Sequence, residues 1–354
     1  MRAAVLHAAR DLRIEDRPEP RAPGRGEVLL RVTRAGLCGT DVSEYSAGPL
    51  MTPLQTRHPN SGVLGPVVLG HEFIGVVEEA SHAERFAVGD RVAAGAGVWC
   101  GDCAWCHRGQ TNLCQSYWTY GLSADGGLTE YVTVPERMLH PVPAGVTHDN
   151  AALAQPLAVG LHAVDRSRGR PGDVVVVHGA GAIGSFVIAG LKAAGAGLIV
   201  AVDIDNGRLK TAAELGADVT VDASSNDPVD AVRELTGTAL ADVTIETSGV
   251  ADGLSRVQRL TRRGGTVLLV GLPKGEVTFT ATDLVLREID VMTTVAHVCD
   301  RNLPTALALL AQRDLASLLV EAVVPLERVI EDAFTPLVSG TARGKFLVDP
   351  QVPA

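Results

Sequence analysis

The chain is short of positive charge. Its 354 residues include 31 lysines and arginines against 41 aspartates and glutamates, which gives a formal net charge of −10 at pH 7. A chain of this charge repels the phosphate backbone of nucleic acids and the anionic surface of membranes. We therefore expect no nucleic acid and no membrane among its partners.

The sequence also lacks a pattern typical of a secretory signal or a membrane span. The first apolar stretch is interrupted by His7, Arg10 and Asp11 before it reaches the length of a signal-peptide core. Residues 174–191 resemble a span because their only ionisable side chain is His178, but four glycines favour a buried strand, turn and helix there. The sequence thus predicts a cytoplasmic protein.

No internal repeat, low-complexity tract or flexible linker divides the chain, yet its hydrophobic pattern changes at about residue 155. Before this point, short apolar strands alternate with Gly and Pro turns, which is typical of a β-rich domain. After it, apolar strands alternate with helical stretches, which predicts a doubly wound parallel sheet and an α/β fold. The predicted strands cover residues 28–33, 71–78, 91–94, 128–134, 174–178, 198–203, 219–221, 242–246, 266–271, 291–295 and 345–348. One predicted helix begins at residue 183, and the others cover residues 208–215, 229–235, 254–260 and 304–311.

Cysteine is scarce, and four of the six cysteines lie in one short segment. The spacing C-x2-C-x2-C-x7-C joins Cys100, Cys103, Cys106 and Cys114. Four thiolates so close in sequence can bind one tetrahedral Zn²⁺, and such a closed site is structural because no coordination position is left for a substrate. Two disulfides, an Fe–S cluster or four unrelated core cysteines are the alternatives. Cys299 is expected to be an ordinary core residue.

A glycine-rich motif, G-A-G-A-I-G, follows the strand V-V-V-V-H and opens a helix. Its first glycine allows a tight turn, its second lets a pyrophosphate approach backbone N–H groups, and its third packs the helix on the strand. Asp203, at the end of the next strand, can accept both ribose hydroxyls and would repel a 2′-phosphate, which favours NAD over NADP. A glycine-rich turn in another kind of α/β protein is the alternative. The expected cofactor-binding residues are Gly179, Gly181, Ala182, Ile183, Gly184, Asp203 and Arg208.

A second candidate metal site comes from the β-rich half. Cys38, in A-G-L-C-G-T-D, and His71 with Glu72, in L-G-H-E-F-I-G, offer a thiolate, an imidazole and a carboxylate. These are the ligand types of a zinc site with an open position. Taken singly, a cysteine or a histidine is just as compatible with an ordinary place in the core, so the residues alone leave both interpretations open.

Four motifs occur in a fixed order along the chain: C-G-T-D at 38–41, G-H-E at 70–72, the four-cysteine segment at 100–114, and G-A-G-A-I-G followed by Asp203. This order resembles that of the zinc-dependent medium-chain alcohol and polyol dehydrogenases. Residues 43–72 are most similar to the corresponding segment of 2,3-butanediol dehydrogenases, and A-Q-P-L-A-V-G-L-H-A-V is similar to a segment that these share with sorbitol dehydrogenases.

The resemblance implies a GroES-like catalytic domain, residues 1–155 completed by 297–354, and a Rossmann NAD-binding domain, residues 156–296. It also implies two Zn²⁺ per chain, NAD as cofactor, and a homodimer or homotetramer. The implied reaction is hydride transfer between NAD and a zinc-bound secondary alcohol, a vicinal diol or polyol, to give the ketone. The catalytic zinc would be bound by Cys38 and His71, with Glu72 and Gln155 as further ligands or close neighbours.

Two positions depart from the family pattern. Gln155 stands where diol and polyol dehydrogenases usually have Glu, and its neutral amide leaves more positive charge on the metal. Ser43 stands where many members have a histidine at the far end of the proton relay. We expect Thr40 to accept the proton of the alcohol first, and Ser43 to be a poor substitute for an imidazole.

Two other functions are compatible with the sequence. A cyclitol or amino-cyclitol dehydrogenase of the same family would have the same motifs. In a protein of another class, the four-cysteine segment would be a binding module and the second domain would sense NAD without catalysis. The acidic net charge and the second candidate metal site argue against this last interpretation.

Overall fold

The computed structural model describes residues 1–237, 239–273 and 275–352, which divide into two compact units. The first unit is formed by Met1–Gln155 together with the chain from Val298 onward, and the second by Pro156–His297. The chain therefore leaves the first unit, builds the second, and returns to complete the first.

The first part of the chain consists mainly of short strands, in keeping with its many Gly and Pro turns. Its elements are β1 (Arg2–Ala8), β2 (Asp11–Asp16), β3 (Glu27–Gly36), α1 (Gly39–Ala47), β4 (Val67–Val68), β5 (Glu72–Glu79), β6 (Arg91–Ala94), β7 (Gly97–Val98), α2 (Ala104–His107), β8 (Trp118–Thr119), β9 (Tyr131–Pro135), β10 (Leu139–Pro141), α3 (His148–Ala151) and α4 (Ala154–Ser167). Helix α4 carries the chain from the first unit into the second.

Strands and helices alternate throughout the second unit. They are β11 (Val174–His178), α5 (Ala182–Ala193), β12 (Leu198–Asp203), α6 (Asn206–Leu215), β13 (Val219–Asp222), α7 (Pro228–Thr236), β14 (Ala241–Glu246), α8 (Gly253–Leu260), β15 (Thr261–Leu269), α9 (Ala281–Leu286) and β16 (Asp290–Thr293). The strands pair in parallel in the order β13-β12-β11-β14-β15-β16. The order reverses between β11 and β14, and a doubly wound sheet binds ligands beyond the carboxyl ends of its strands at such a reversal.

β-branched side chains build the core of this second unit. Val176 of β11 and Val200 and Val202 of β12 are wholly or almost wholly buried. Val229 and Val232 of α7 pack against the same cluster. Strands covered on both faces have near-continuous apolar sequences, which is why V-V-V-V-H and L-I-V-A-V-D could be predicted as strands.

The chain then returns to the first unit through α10 (Cys299–Gln312), α11 (Ala316–Leu319), β17 (Val320–Pro325), a single π-helical turn (Ile330–Phe334), α12 (Thr335–Ser339) and β18 (Lys345–Asp349). The larger sheet of this unit has the order β10-β6-β5-β3-β18-β17, with β9 also paired to β3. Strand β18 is antiparallel to β3, with Leu347 opposite Gly36 and Val348 opposite Ala35. No helix of the described chain has both the length and the apolar character needed to cross a membrane.

Several elements differ from the sequence prediction. Strand β9 begins at Tyr131 rather than at residue 128, because the backbone around Leu128 bonds instead to Ala4 and Leu69. Strand β15 begins at Thr261 rather than at 266 and ends at Leu269, two residues early, while β16 ends at Thr293 instead of 295. Periodicity identifies the apolar centre of a strand better than its ends.

Helices α1 and α4 have no predicted counterpart. The buried residues of α1 are Asp41 and Glu44, so the helix has no apolar stripe to reveal it. In α4, Pro156 and Gly160 interrupt an otherwise helical pattern. Gly160 is required by packing, since a Cβ there would lie 2.7 Å from the Cβ of Phe186 in α5.

Candidate functional site

Cys38, His71 and Glu72 converge in the first unit. Cys38 directly precedes α1, and the other two residues open β5. The thiol sulfur, one imidazole nitrogen and one carboxylate oxygen all lie within 4.8 Å of one another. His71 and Glu72 are buried and Cys38 is half-buried. The structure thus brings together the donor set that the sequence suggested, and these donors suit a zinc ion.

The buried carboxylate of Asp41 orients two of these residues. Its Oδ2 accepts the backbone N–H of Cys38 at 2.9 Å, and its Oδ1 lies 3.4 Å from Nδ1 of His71. Histidines that bind metals usually donate their other ring N–H to such a carboxylate. Asp41 had no role predicted from the sequence. The sequence signal for such a role was its position three residues after Cys38, where a side chain can cap the start of a helix.

The electrostatic environment of His71 favours a positive charge. Burial by itself lowers the pKa of His71, but the Asp41 carboxylate and the Cys38 sulfur outweigh this effect. The pKa of His71 therefore lies well above its ordinary value. Neighbours that stabilise a protonated imidazole also create a negative potential that attracts a metal cation.

Lys345 pairs with Glu72 at the back of the cluster. Its Nζ lies 2.5 Å from Oε2 of Glu72 and donates to the backbone oxygen of Leu37 at 3.0 Å. Both side chains are almost completely buried. Lys345 is the first residue of β18, so the returning part of the chain supplies this charge. A β-carbon at Gly36 would collide with the Glu72 carboxylate, which explains the glycine at that position.

The remaining predicted residues of this site lie on two helices. The Oγ1 of Thr40 is 3.8 Å from Sγ of Cys38, in the first turn of α1. Ser43 follows three residues later on the same helix and is half-buried, so the two hydroxyl residues share one helical face. Gln155 is the second residue of α4 and is half-buried. Its position near a metal stays a prediction.

The four clustered cysteines are arranged for one ion. Their closest Sγ–Sγ distances are 3.5 Å for Cys100 and Cys114, 3.6 Å for Cys103 and Cys106, and 3.9 Å for Cys100 and Cys106. A tetrahedron of sulfurs around zinc has edges of about 3.8 Å, from a Zn–S bond of about 2.3 Å. All four thiols are free, which excludes the alternative of two disulfides.

Backbone N–H groups stabilise the thiolate forms. The N–H groups of Cys106 and Gln115 contribute most to lowering the pKa of Cys103, to about 6. Asp102 and Ser116 donate their N–H groups to the sulfurs of Cys100 and Cys114 at 3.4 and 3.3 Å. Cys106 is the exception, because burial raises the pKa of its thiol to about 12, and this thiol has to lose its proton when the metal binds.

In the second unit, the three glycines of G-A-G-A-I-G have separate structural reasons. Gly179 has φ +99°, a conformation that other residues rarely adopt. No atom lies within 4 Å of where a Cβ of Gly181 would be, so this position leaves open space at the start of α5, just before Ala182 and Ile183. A Cβ at Gly184 would collide with the carbonyl oxygen of Gly179. The turn therefore exposes a helix N-terminus that suits a pyrophosphate.

Asp203 fixes this turn. Its Oδ2 accepts the N–H of Ala180 at 2.7 Å, and its Oδ1 accepts those of Ile204 and Asp205 at 2.8 and 3.0 Å. Nη1 of Arg208 lies 4.0 Å from Oδ1. A carboxylate has about four acceptor positions, and these three N–H groups leave one of them, on Oδ2, for a further donor.

Glu246, the last residue of β14, and Thr247, which follows it, stabilise the turn and were not predicted from the sequence. The hydroxyl of Thr247 donates to the carbonyl oxygen of Gly179 at 2.6 Å. Glu246 accepts the N–H of Ser248 at 2.8 Å and lies 3.6 Å from Nδ1 of His178. Burial raises the pKa of Glu246, but hydrogen bonds from His178, Ser248 and Gly249 outweigh it, so this pKa lies below its ordinary value.

Comparison with known proteins identifies the family. Residues 24–144 match the alcohol dehydrogenase GroES-like domain, and residues 182–312 match the zinc-binding dehydrogenase domain. The (R,R)-butanediol dehydrogenase of Bacillus subtilis is 34% identical over 99% of this chain and 100% of its own length. The chain belongs to the zinc-dependent medium-chain alcohol dehydrogenases.

Other members of this dehydrogenase family agree with the assignment. A sorbitol dehydrogenase of Bacillus subtilis is 33% identical over 82% of this chain and 81% of its own length. The crystal structure of 2R,3R-butanediol dehydrogenase from Bacillus subtilis covers 99% of both chains with a TM-score of 0.91 at 34% identity. The predicted fold class, zinc and NAD are thereby confirmed, and a non-catalytic binding module is no longer an alternative.

The two candidate zinc sites should have unequal roles. Replacing Cys103 by Ser should remove one zinc per chain and lower thermal stability. That site has no open position for a substrate, so its zinc stabilises the fold and does not take part in turnover. Replacing Cys38 by Ser should abolish turnover while the fold survives. Metal analysis, thermal unfolding and steady-state rates of both variants test this. A Cys38→Ser enzyme with wild-type turnover would show that the catalytic site is elsewhere.

Replacing Lys345 by Met should destabilise the dehydrogenase by about 3–5 kcal/mol, because it leaves the Glu72 carboxylate buried without a partner. Adding Glu72→Gln should recover much of this loss, since the unpaired charge is then removed as well. Chemical denaturation of the zinc-loaded wild type, both single variants and the double variant measures the coupling. Strictly additive losses would mean that the two side chains do not depend on each other.

Proposed function

We propose that this dehydrogenase oxidises a secondary alcohol of a vicinal diol or polyol to the ketone, with NAD as hydride acceptor. The observation that carries the proposal is the convergence of Cys38, His71 and Glu72, held in place by Asp41 and Lys345. The similarity to a butanediol and a sorbitol dehydrogenase supports the substrate class. We further propose that the first unit is the catalytic domain, that the second binds the cofactor, and that the enzyme is a cytoplasmic homodimer or homotetramer.

Cys38 and His71 would hold the catalytic zinc, with Glu72 as a ligand or an exchanging neighbour. When bound, zinc lowers the pKa of an alcohol oxygen, and NAD accepts the hydride. Lys345 neutralises part of the charge of Glu72, so the carboxylate competes less strongly for the metal than a free one would. Gln155, if it approaches the site, adds an oxygen without adding charge.

Thr40 would hold the first proton that leaves the substrate. Its hydroxyl lies beside the sulfur of Cys38 and can both accept and donate a hydrogen bond. Ser43, one turn further along α1, has a hydroxyl of very high pKa that cannot keep a proton near neutral pH. Water would therefore take the proton from there to solvent.

In the second unit, Gly179, Gly181 and Gly184 with the start of α5 would bind the pyrophosphate of NAD. Asp203 would accept a ribose hydroxyl with the Oδ2 lone pair that its three backbone contacts leave free. Arg208, close to Asp203 and half exposed, would cover the adenine.

The experiment that tests the substrate class is a screen for NADH formation. It should include the three stereoisomers of 2,3-butanediol, sorbitol, xylitol, myo-inositol and 2-propanol, with the Cys38→Ser enzyme as the negative control. We expect the highest kcat/KM for a vicinal diol or an acyclic polyol. A higher value for the inositol would favour a cyclitol dehydrogenase, and a higher value for 2-propanol would reject the diol preference.

Replacing Asp203 by Ala should lower kcat/KM for NAD by about 10- to 100-fold, because hydrogen bonds to a charged acceptor contribute about 1.5–3 kcal/mol. The ratio of NADP to NAD activity should rise, since a like charge is also removed. Asp205→Ala is the matched control: Asp205 caps α6 through the N–H of Arg208 at 3.0 Å, so its loss should reduce stability but leave the cofactor ratio unchanged. A wild-type enzyme that prefers NADP would contradict the assignment.

Replacing Thr40 by Ala should lower kcat by about 10²- to 10⁴-fold, the usual effect of losing a positioned proton acceptor. Thr40→Ser should retain most of the activity because it keeps the hydroxyl. Ser43→Ala should be nearly silent, and Ser43→His should raise turnover between about pH 6 and 7, where an imidazole titrates. Rate–pH profiles and solvent isotope effects of the four enzymes test the relay, which a silent Thr40→Ala variant would rule out.

A further inference from the structure

A third group of metal-binding side chains lies in the first unit, outside the two sites described above. His140 belongs to β10, and Cys299 and Asp300 are the first two residues of α10. One imidazole nitrogen, the thiol sulfur and one carboxylate oxygen lie within 4.8 Å of one another. The four clustered cysteines and the Cys38 group satisfy this same criterion. The proposed reaction uses none of these three residues.

His140 has an unsatisfied nitrogen that faces the group. The residue is 8% exposed, and its Nε2 has no hydrogen-bond partner in the described chain. This atom lies 3.7 Å from Oδ1 of Asp300, which is too long for a hydrogen bond. A buried polar atom without a partner costs free energy, so the arrangement favours a ligand that can accept the nitrogen lone pair.

Cys299 and Asp300 give the group a closed side and an open side. Cys299 is 3% exposed, and its sulfur is 3.6 Å from the backbone oxygen of Met138, a contact at the limit of a weak S–H hydrogen bond. The Asp300 side chain is 60% exposed, so an ion can enter from solvent past the carboxylate. The sequence analysis placed Cys299 correctly in the core but gave it no partner.

The chemistry of the three donors selects the ion. Burial and the Asp300 carboxylate raise the pKa of the Cys299 thiol to about 12, so this thiol loses its proton only when the ion binds. The thiolate and the carboxylate then together neutralise a divalent cation. The positive charge of Arg85 favours the Cys299 thiolate, and its guanidinium donates to the backbone oxygens of Glu136 and Leu139 at 3.0 and 3.3 Å. Thiolate and imidazole ligands favour zinc over magnesium or calcium, and three protein ligands with a water are a common zinc set.

We propose that His140, Cys299 and Asp300 bind a third Zn²⁺, with water as the fourth ligand. The metal links β10, from the first part of the chain, to α10, from the returning part. Because it binds the folded unit and not the unfolded chain, it stabilises the closure of the first unit. This site neither requires nor contributes to the proposed oxidation of alcohols.

The test is a titration of the full-length enzyme, already loaded with zinc at its other two sites, with Co²⁺. Wild type should bind one further ion per chain and develop the near-ultraviolet charge-transfer band of a cobalt thiolate. Cys299→Ser should lose the band while keeping wild-type dehydrogenase activity. Asp300→Asn, an exposed and nearly isosteric change, should weaken binding roughly tenfold or more.

Asp314→Asn, an exposed substitution just beyond the other end of α10, is the matched control and should bind cobalt like the wild type. If Cys299→Ser fails to fold, the Asp300→Asn titration still decides the question. Two outcomes would overturn the proposal: a wild type that gains no thiolate band, or a band of the same strength and affinity in Asp300→Asn.

Discussion

The antiparallel pairing of β18 with β3 is the constraint on which the first unit depends. It places Lys345 beside Glu72 and Leu37, next to the candidate catalytic metal site. At the other end of the same strand, Asp349 accepts from Arg34 of β3, which also contacts Asp149 of α3. Residues far apart in sequence thus complete both the sheet and the charge balance of the site.

The two candidate zinc sites differ in the groups that balance the charge of their ligands. The four-cysteine loop concentrates thiols and stabilises their charge with backbone N–H groups, which any sequence in that loop conformation can supply. The Cys38 site instead uses side chains, with Asp41 on one side and Lys345 on the other. A surplus of negative charge holds a structural ion, whereas a balanced site leaves the metal electrophilic enough to polarise a substrate.

The sequence was most informative where a local pattern determines the structure. The valine-rich strands of the second unit could be predicted because strands covered on both faces have near-continuous apolar sequences, and the glycines after β11 because their turn is local. Helix α1 was missed because its buried residues are acidic, and Lys345 because its partner is brought close only by the long-range pairing of β18. Asp41 and Glu246 were missed for another reason: each is a buried carboxylate whose role is to accept backbone N–H groups, which form no side-chain pattern in the sequence.

The return of the chain to the first unit has a consequence for biosynthesis. The second unit, Pro156–His297, is continuous in sequence and can fold as soon as it leaves the ribosome. The first unit cannot be completed so early, because Ala35 and Gly36 of β3 lack their β18 partners and Glu72 lacks its lysine until β18 has been translated. The candidate catalytic metal site is therefore among the last features to form, and until then the Glu72 carboxylate has no positive charge beside it.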